Sequence, residues 1–161
     1  MHTEIPDVIA FRSEDDPPGY DDPGQEQLAA SEAPGRGEKI LVVDDSRAWL
    51  QLAREILTAG GYQVRTCEDP REALSLLEQN PERIDLVITD LEMPGFNGIE
   101  LAAELLKINP TLPVVLTSAA TLPMPLAKLR SLGIRDFLTK PWNRGHLFSV
   151  IRSLLRLVDH V

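Results

Sequence analysis

The stretch LVITDLEMPGFNG, residues 86–98, decides the fold of this chain. Its first four residues, Leu86 to Thr89, are aliphatic or β-branched, as expected for a strand buried within a sheet. The run then reaches the carboxylate of Asp90, and the Pro, Gly and Asn residues that follow predict a loop. Open α/β sheets bind ligands at the carboxyl ends of their strands, so Asp90 is the first candidate for chemistry. An Asp after a strand can also be a plain loop or capping residue, and other parts of the chain must decide.

Short predicted strands, most of them apolar runs that end on polar residues, recur along the chain. Strands are predicted at 39–43, 63–67, 86–89, 113–116 and 136–138, with helices over about 46–59, 69–80, 98–109, 125–132 and from 143 onward. The helices are indicated by apolar residues at helical spacing, by capping residues before them and by Gly or Pro after them. Alternating strands and helices imply right-handed crossovers and a parallel sheet with helices on both faces.

Polar residues that follow the strands of a parallel sheet meet at one edge. Here that set is Asp44, Asp45, Asp90, Thr117, Ser118 and Lys140. Three close carboxylates raise one another's pKa unless a cation lies between them, and an all-oxygen set suits Mg²⁺. A lysine and hydroxyl groups suit the remaining oxygens of a phosphoryl group. The pattern therefore predicts a magnesium-dependent phosphoryl site.

The acidity of the chain is concentrated near its N-terminus. Residues 1–37 carry nine acidic and two basic side chains, a net charge of −7, whereas residues 38–161 carry sixteen and fourteen, a net charge of −2. The first segment also holds five prolines and four glycines, a composition that buries too little apolar surface to fold. We interpret residues 1–37 as a disordered leader or linker and residues 38–160 as one folded domain.

Composition also excludes several classes of protein. Cys67 is the single cysteine, so an internal disulfide and a cysteine metal cage are excluded. The chain lacks a run rich in Lys and Arg, and we expect no nucleic-acid partner. It also lacks an apolar run of membrane-spanning length and a secretory h-region, so we expect no membrane partner and a cytoplasmic location.

Residues 38–160 resemble the receiver domain of bacterial two-component response regulators, both stand-alone receivers and the terminal receivers of hybrid histidine kinases. The matching motifs are Leu41-Val42-Val43-Asp44-Asp45, Asp90-x-x-Met93-Pro94 with Gly98, Thr117-Ser118, and Lys140-Pro141 preceded by Phe137. The resemblance implies a flavodoxin-like, doubly wound parallel sheet of five strands in the order 2-1-3-4-5, with five helices on its two faces.

The resemblance also implies a role for each site residue. Asp90 would be the phosphoacceptor, which takes a phosphoryl group from a histidine kinase or a histidine phosphotransfer protein. Mg²⁺ would be held by Asp44, Asp45, Asp90 and the backbone carbonyl of Glu92. The phosphoryl group would contact Thr117, Ser118 and Lys140, and Thr117 and Phe137 would form the switch. A downstream protein would bind the face formed by helix 4, strand 5 and helix 5. Such a domain is a phosphorylation-dependent switch in a two-component system or phosphorelay and not an enzyme.

Several alternatives stay open from the sequence. The length after residue 158 leaves no room for an output domain, and Met1 favours a stand-alone chain, but the leader also resembles the linker before a hybrid-kinase receiver. A receiver-like interaction module that is never phosphorylated is a second alternative. A phosphatase with an Asp nucleophile and Mg²⁺ is a third, but it would need a second Asp where Glu92 stands. Trp49 and Trp142 are interpreted as packing or surface residues.

Overall fold

The computed structural model describes residues 35–158, so residues 1–34 of the predicted leader 1–37 and residues 159–160 of the predicted domain 38–160 lie outside the described residues. The strands are β1 Lys39–Val43, β2 Gln63–Cys67, β3 Leu86–Asp90, β4 Val114–Ser118 and β5 Asp136–Thr139. The helices are α1 Arg47–Ala59, α2 Pro70–Gln79, α3 Gly98–Ile108, α4 Leu126–Ser131 and α5 Arg144–Val158. No helix within residues 35–158 is long and apolar enough to cross a membrane.

The five strands form one parallel sheet in the order β2-β1-β3-β4-β5. The predicted fold class, strand order and five helices are therefore confirmed. β1 and β3 lie at the centre, where the chain reverses the direction in which it adds strands to the sheet. In open α/β sheets the crevice at such a reversal is where ligands bind.

Two apolar cores cover the two faces of this sheet. The α1/α5 face buries alternate strand residues such as Ile40, Val42 and Ile88 against helices α1 and α5. The α2–α4 face buries the intervening residues, such as Leu41 and Val87, against helices α2, α3 and α4. Side chains of a strand point alternately to the two faces, so a strand that is apolar throughout supplies both cores.

One element was not predicted. A 3₁₀ turn, Pro81–Arg83, follows α2, with the Arg83 amide donating to the carbonyl of Asn80 at 3.1 Å. Pro81 lacks the N–H that an α-helix would need there, but its fixed φ suits the first position of a tight turn. Elsewhere the boundaries agree with prediction to within two residues: β1 and β2 have the predicted limits, and β5 extends one residue further, to Thr139.

The loop after β3 is closed by a capping box. The Asn97 side chain accepts from the Glu100 amide, and the Glu100 carboxylate accepts from the Asn97 amide, both at 2.9 Å. Gly98 begins α3 against the carbonyl of Asp90, which a Cβ at residue 98 would overlap. This close approach requires glycine and ties the start of α3 to the end of β3.

The first described residues, 35–37, lie beside the turn that follows α1. The Gly35 amide donates to the Gly60 carbonyl at 2.8 Å, and the Gly37 amide donates to the Gly61 carbonyl at 2.9 Å. Gly61 itself has φ +88°, a left-handed conformation that glycine adopts without strain. These bonds lie at the amino edge of the sheet, away from the polar residues that follow the strands.

Candidate functional site

Strand alternation brings four of the predicted site residues to one face. Asp44 follows Val42 by two positions, Asp90 follows Ile88, Thr117 follows Val115 and Lys140 follows Leu138, and each of these apolar residues belongs to the core of the α1/α5 face. Asp90 and Thr117 are also register partners on neighbouring strands. The site is thus the polar continuation of the α1/α5 core at the carboxyl edge of the sheet.

Three carboxylates converge there. Asp44 is 1% exposed and Asp90 is 5% exposed, whereas Asp45 faces solvent. One oxygen from each of the three lies within 4.8 Å of the others. Opposite ligands of a Mg²⁺ ion are about 4 Å apart, and the ion usually keeps several waters, which the exposed side at Asp45 would admit. The donor set therefore fits a hard divalent cation.

Lys140 joins the two buried carboxylates. Its Nζ lies 2.5 Å from Oδ2 of Asp44 and 3.2 Å from Oδ1 of Asp90, and its side chain is 14% exposed. The other oxygen of Asp44, Oδ1, accepts from the Ser46 amide at 2.9 Å. The Lys140 amide donates to the Ser118 carbonyl at 2.8 Å, which holds Lys140 at the sheet edge. The peptide bond that follows, to Pro141, is cis.

The electrostatics of Asp90 reflect this crowding. Its pKa is raised, first by burial and then by the negative charge of Asp44, with a smaller contribution from Glu92. The charge and hydrogen bond of Lys140 act in the opposite direction and only partly offset the rise. A further cation beside Asp90 would favour its ionised form, which is the form that acts as a nucleophile. The electrostatics therefore favour cation binding here, in agreement with the donor set.

Ser118 and Glu92 contact each other at the rim of the site. The Ser118 hydroxyl donates to Oε1 of Glu92 at 2.9 Å and accepts from the Ala120 amide at 3.0 Å. Ser118 is fully buried, whereas Glu92 is exposed. The sequence interpretation used the carbonyl of Glu92 and missed this side-chain contact. A phosphoryl-binding role for Ser118 stays a prediction, since its hydroxyl proton is directed to Glu92.

Thr117 has a partner that the sequence interpretation also missed. The indole Nε1 of Trp142 donates to Oγ1 of Thr117 at 2.8 Å, and both residues are buried. Trp142 packs edge-to-face on Trp49, with ring centroids 5.0 Å apart and an interplanar angle of 83°. The Nζ of Lys140 lies 4.8 Å from the centroid of Trp49. An indole two residues after the site lysine was the available signal, because indole N–H groups in the interior usually find an acceptor.

Phe137 lies on the opposite face from Asp90. It is the register partner of Leu116 on β4 and packs, half-buried, against the core of the α2–α4 face. It therefore neighbours the strand that carries Thr117 without sharing its side of the sheet. Its role as a switch stays a prediction.

A family model described as the response regulator receiver domain matches residues 40–152 of the chain. The transcriptional regulatory protein GlrR of Escherichia coli K12 is 39% identical over 117 residues, which are 72% of this chain and 26% of that protein. The response regulator MprA of Mycolicibacterium vanbaalenii is 38% identical over 119 residues, which are 73% of this chain and 50% of that protein. The chain thus spans half or less of the length of these curated relatives.

Solved structures of receiver domains superpose on about three quarters of this chain. A response regulator receiver domain protein from Clostridium thermocellum superposes with a TM-score of 0.70 at 29% identity, covering 76% of this chain and 97% of that one. The chemotaxis protein CheY4 of Vibrio cholerae superposes with a TM-score of 0.66 at 28% identity, covering 73% of this chain and 98% of that one. The family-model match over residues 40–152 includes the carboxylates, the hydroxyls and the lysine of the site.

Proposed function

The chain belongs to the response regulator receiver domain family, and from this premise we propose that it accepts a phosphoryl group on Asp90 from a histidine kinase or a histidine phosphotransfer protein. The observation that carries the proposal is the environment of Asp90. Its carboxylate is buried at the carboxyl edge of the sheet, 3.2 Å from the ammonium of Lys140 and beside two further carboxylates. A structural carboxylate would not need an acidic pair next to it, because the repulsion destabilises the fold.

In the proposed reaction a carboxylate oxygen of Asp90 attacks the phosphorus of a phosphohistidine on the donor. The new P–O bond forms as the P–N bond breaks, and the imidazole leaves with the bonding electron pair and takes up a proton. Catalysis of this kind consists mostly of positioning and of charge stabilisation on the phosphoryl oxygens. Lys140 is suited to that role because its ammonium already lies between Asp44 and Asp90.

We propose Asp44, Asp45, Asp90 and the backbone carbonyl of Glu92 as the residues that would hold Mg²⁺. When bound, the ion would neutralise charge on the phosphoryl oxygens and on the carboxylates. Asp45 faces solvent and could bind the ion alongside its waters, whereas Asp44 is oriented by the Ser46 amide and by Lys140. Asp44 thus holds Lys140 in place, and Lys140 in turn donates to Asp90 and orients the attacking carboxylate.

After transfer, Thr117 and Lys140 would each contact a phosphoryl oxygen, and Ser118 would join them on release from Glu92. The added charge would bias the loop after β4 and the ring of Phe137 toward a second arrangement. A downstream protein would then bind the face formed by α4, β5 and α5. The relatives include a transcriptional regulatory protein and a chemotaxis protein, so the identity of the downstream protein is a separate question.

The same premise leads to further proposals about the chain. Residues 1–37 would be a leader and residues 38–160 the receiver, with a cytoplasmic location. The domain would act as a switch and not as an enzyme, since Asp90 turns over only its own phosphoryl group. The engagement of Glu92 with Ser118 supports this reading against a phosphatase, where that residue would serve as an acid toward the leaving group.

The experiment is intact-mass detection of phosphoryl transfer from acetyl phosphate, with and without Mg²⁺. Wild type, Asp90→Asn and Asp69→Asn are compared. Asp69 is a matched control because it also follows a strand at the same edge, but it caps α2 by accepting from the Arg71 amide at 2.9 Å. Asn caps helices as well as Asp, so this control keeps its fold.

We expect one Mg²⁺-dependent adduct on wild type and on Asp69→Asn, and no adduct on Asp90→Asn. An adduct on Asp90→Asn would contradict the assignment of the acceptor. If wild type gives no adduct and does not bind the phosphoryl mimic beryllofluoride, the chain is an interaction module that is not phosphorylated.

A further inference from the structure

The hydroxyl of Thr117 is engaged before any phosphoryl group arrives. It accepts the indole N–H of Trp142 at 2.8 Å, in an interior where Thr117 is 1% and Trp142 is 8% exposed. An indole N–H can only donate, so the threonine oxygen must be the acceptor. No described residue accepts the proton of the Thr117 hydroxyl, and Asp90 on the next strand is among those that do not. The side chain is thus turned toward Trp142.

The main chain of Thr117 is held in place by the sheet. Its carbonyl accepts from the Leu91 amide at 2.8 Å, and the carbonyl of the next residue, Ser118, accepts from the Lys140 amide at 2.8 Å. With the backbone held, the hydroxyl can reach a group on Asp90 chiefly by rotation about χ1. Threonine is β-branched and occupies discrete χ1 wells, so this rotation is a step between two states.

The indole of Trp142 is also fixed. It packs edge-to-face on Trp49, whose ring lies 4.8 Å from the Nζ of Lys140. If Thr117 rotated away, the N–H of Trp142 would be left in the interior without its acceptor, which is unfavourable. The hydrogen bond therefore stabilises the arrangement that Thr117 has without a phosphoryl group.

We propose that Trp142 is a positioning residue that holds Thr117 away from the phosphoryl site until the phosphoryl group draws its hydroxyl inward. This inference rests on the proposed function, because it concerns the same acceptor site. Trp142 would oppose the switch and so set the balance between the two states of the domain. Removal of its N–H would shift that balance toward the phosphorylated arrangement.

The test measures the affinity of the full chain for beryllofluoride in the presence of Mg²⁺, for wild type, Trp142→Phe and Trp49→Phe. Trp142→Phe keeps an aromatic ring but removes the N–H that Thr117 accepts. Trp49→Phe is the matched control, because it makes the same change of ring while the Nε1 of Trp49 has no hydrogen-bond partner among residues 35–158.

We expect Trp142→Phe to bind beryllofluoride roughly ten-fold more tightly than wild type, the effect of one buried hydrogen bond that no longer has to be broken. Because Trp49 contacts both Trp142 and Lys140, Trp49→Phe measures the effect of exchanging an indole for a phenyl ring beside the site, and Trp142→Phe should bind more tightly than Trp49→Phe as well. Equal or weaker binding by Trp142→Phe would overturn the inference. Failure of the wild type to bind beryllofluoride and to form an adduct on Asp90 would instead overturn the proposed function, and this inference with it.

A second measurement needs no variant. The indole ¹H–¹⁵N resonances of Trp49 and Trp142 are recorded on the wild type with and without beryllofluoride. Loss of the hydrogen bond predicts an upfield shift of the Trp142 proton and faster exchange with solvent than before binding. A Trp142 resonance that stays in place when the site is saturated would overturn the inference even if Trp142→Phe does not fold.

Discussion

The two faces of the sheet differ at the carboxyl ends of the strands, where one face has buried polar side chains and the other has apolar ones. On the α1/α5 face the strands end in buried polar groups such as Asp44 and Thr117, whereas the residues just before them, Val43 and Leu116, are buried apolar groups of the α2–α4 face. Alternation of side chains along a strand is the cause, since each step of one residue changes the face. The charged site is thus built against one core and supported from behind by the other.

Because of this contrast, we expect the two faces to contribute differently to stability and to chemistry. The α2–α4 face excludes water through apolar packing, so changes there should alter stability. The end of the α1/α5 face holds charges close together at a cost to stability, so changes there should alter chemistry and the response of stability to ions and pH.

The largest effect is expected from Leu101→Ala on the α2–α4 face. Leu101 is fully buried on α3, and its truncation should lower the free energy of unfolding by about 2–5 kcal/mol through lost burial and a cavity. Urea denaturation measures the change. Leu52→Ala is the control, since Leu52 is 41% exposed and its truncation should change stability by less than about 0.5 kcal/mol. Equal losses in the two variants would contradict the assigned core.

Lys140→Met should have the next largest effect. It leaves the carboxylates of Asp44 and Asp90 buried without their cation, which should lower the free energy of unfolding by about 3 kcal/mol when Mg²⁺ is absent. Millimolar Mg²⁺ should restore part of the loss, because the ion replaces the missing charge. Lys140→Arg keeps the charge and serves as the control. A Lys140→Met variant as stable as wild type would show that the ion pairs of Lys140 with Asp44 and Asp90 do not stabilise the fold.

The buried thiol of Cys67 provides a test of the α2–α4 face through the dependence of stability on pH. Burial, followed by the charge of Glu72, raises the pKa of its thiol from 9.0 to about 11. The unfolded chain therefore loses this proton first as pH rises, and the free energy of unfolding should fall by about 2 kcal/mol between pH 9 and pH 11. The difference between wild type and Cys67→Ala separates the contribution of the Cys67 thiol from that of Tyr62, whose pKa is raised to about 12. Parallel pH profiles for the two proteins would contradict the prediction.

Asp90 provides the corresponding pH-dependent test at the carboxyl end of the α1/α5 face, where the smallest change in stability is expected. Its folded pKa is raised, so the carboxyl group stabilises the fold at acidic pH, and that contribution is lost as pH rises through the raised pKa. Without Mg²⁺, Asp90→Asn should therefore be at least as stable as wild type at neutral pH, with the difference disappearing in acid. Thermal unfolding at several pH values measures this. A large loss of stability at neutral pH would make Asp90 a structural residue.

Much of the fold could be predicted because its signals are local. The limits of β1 follow from an apolar run that ends at Asp44, and β2 is placed between the glycines at 60–61 and the helix start at Asp69. Ser46 and Asn143 could be identified as helix caps from their residue type and position. The tight turn at Pro81 was missed because the same proline that ends a helix can also begin a 3₁₀ turn.

The site was partly predictable for a different reason. In a parallel sheet the carboxyl ends of all strands meet, so a list of residues after the strands is already a list of neighbours, and the proximity of Asp44, Asp45 and Asp90 follows from it. The list does not say how each side chain is engaged. Ser118 bonds to Glu92, and Lys140 lies nearer to Asp44 than to Asp90.

The sequence by itself determined the order of strands and helices, the edge where the polar residues gather and the kind of ion that suits them, because these depend on residue type and on periodicity along the chain. Only the tertiary structure decided that the indole of Trp142 reaches the hydroxyl of Thr117 across 25 residues of sequence and that Trp49 contacts both Trp142 and Lys140. A hydrogen bond depends on distance and direction to within fractions of an ångström, and these are set by how two strands and a helix pack together.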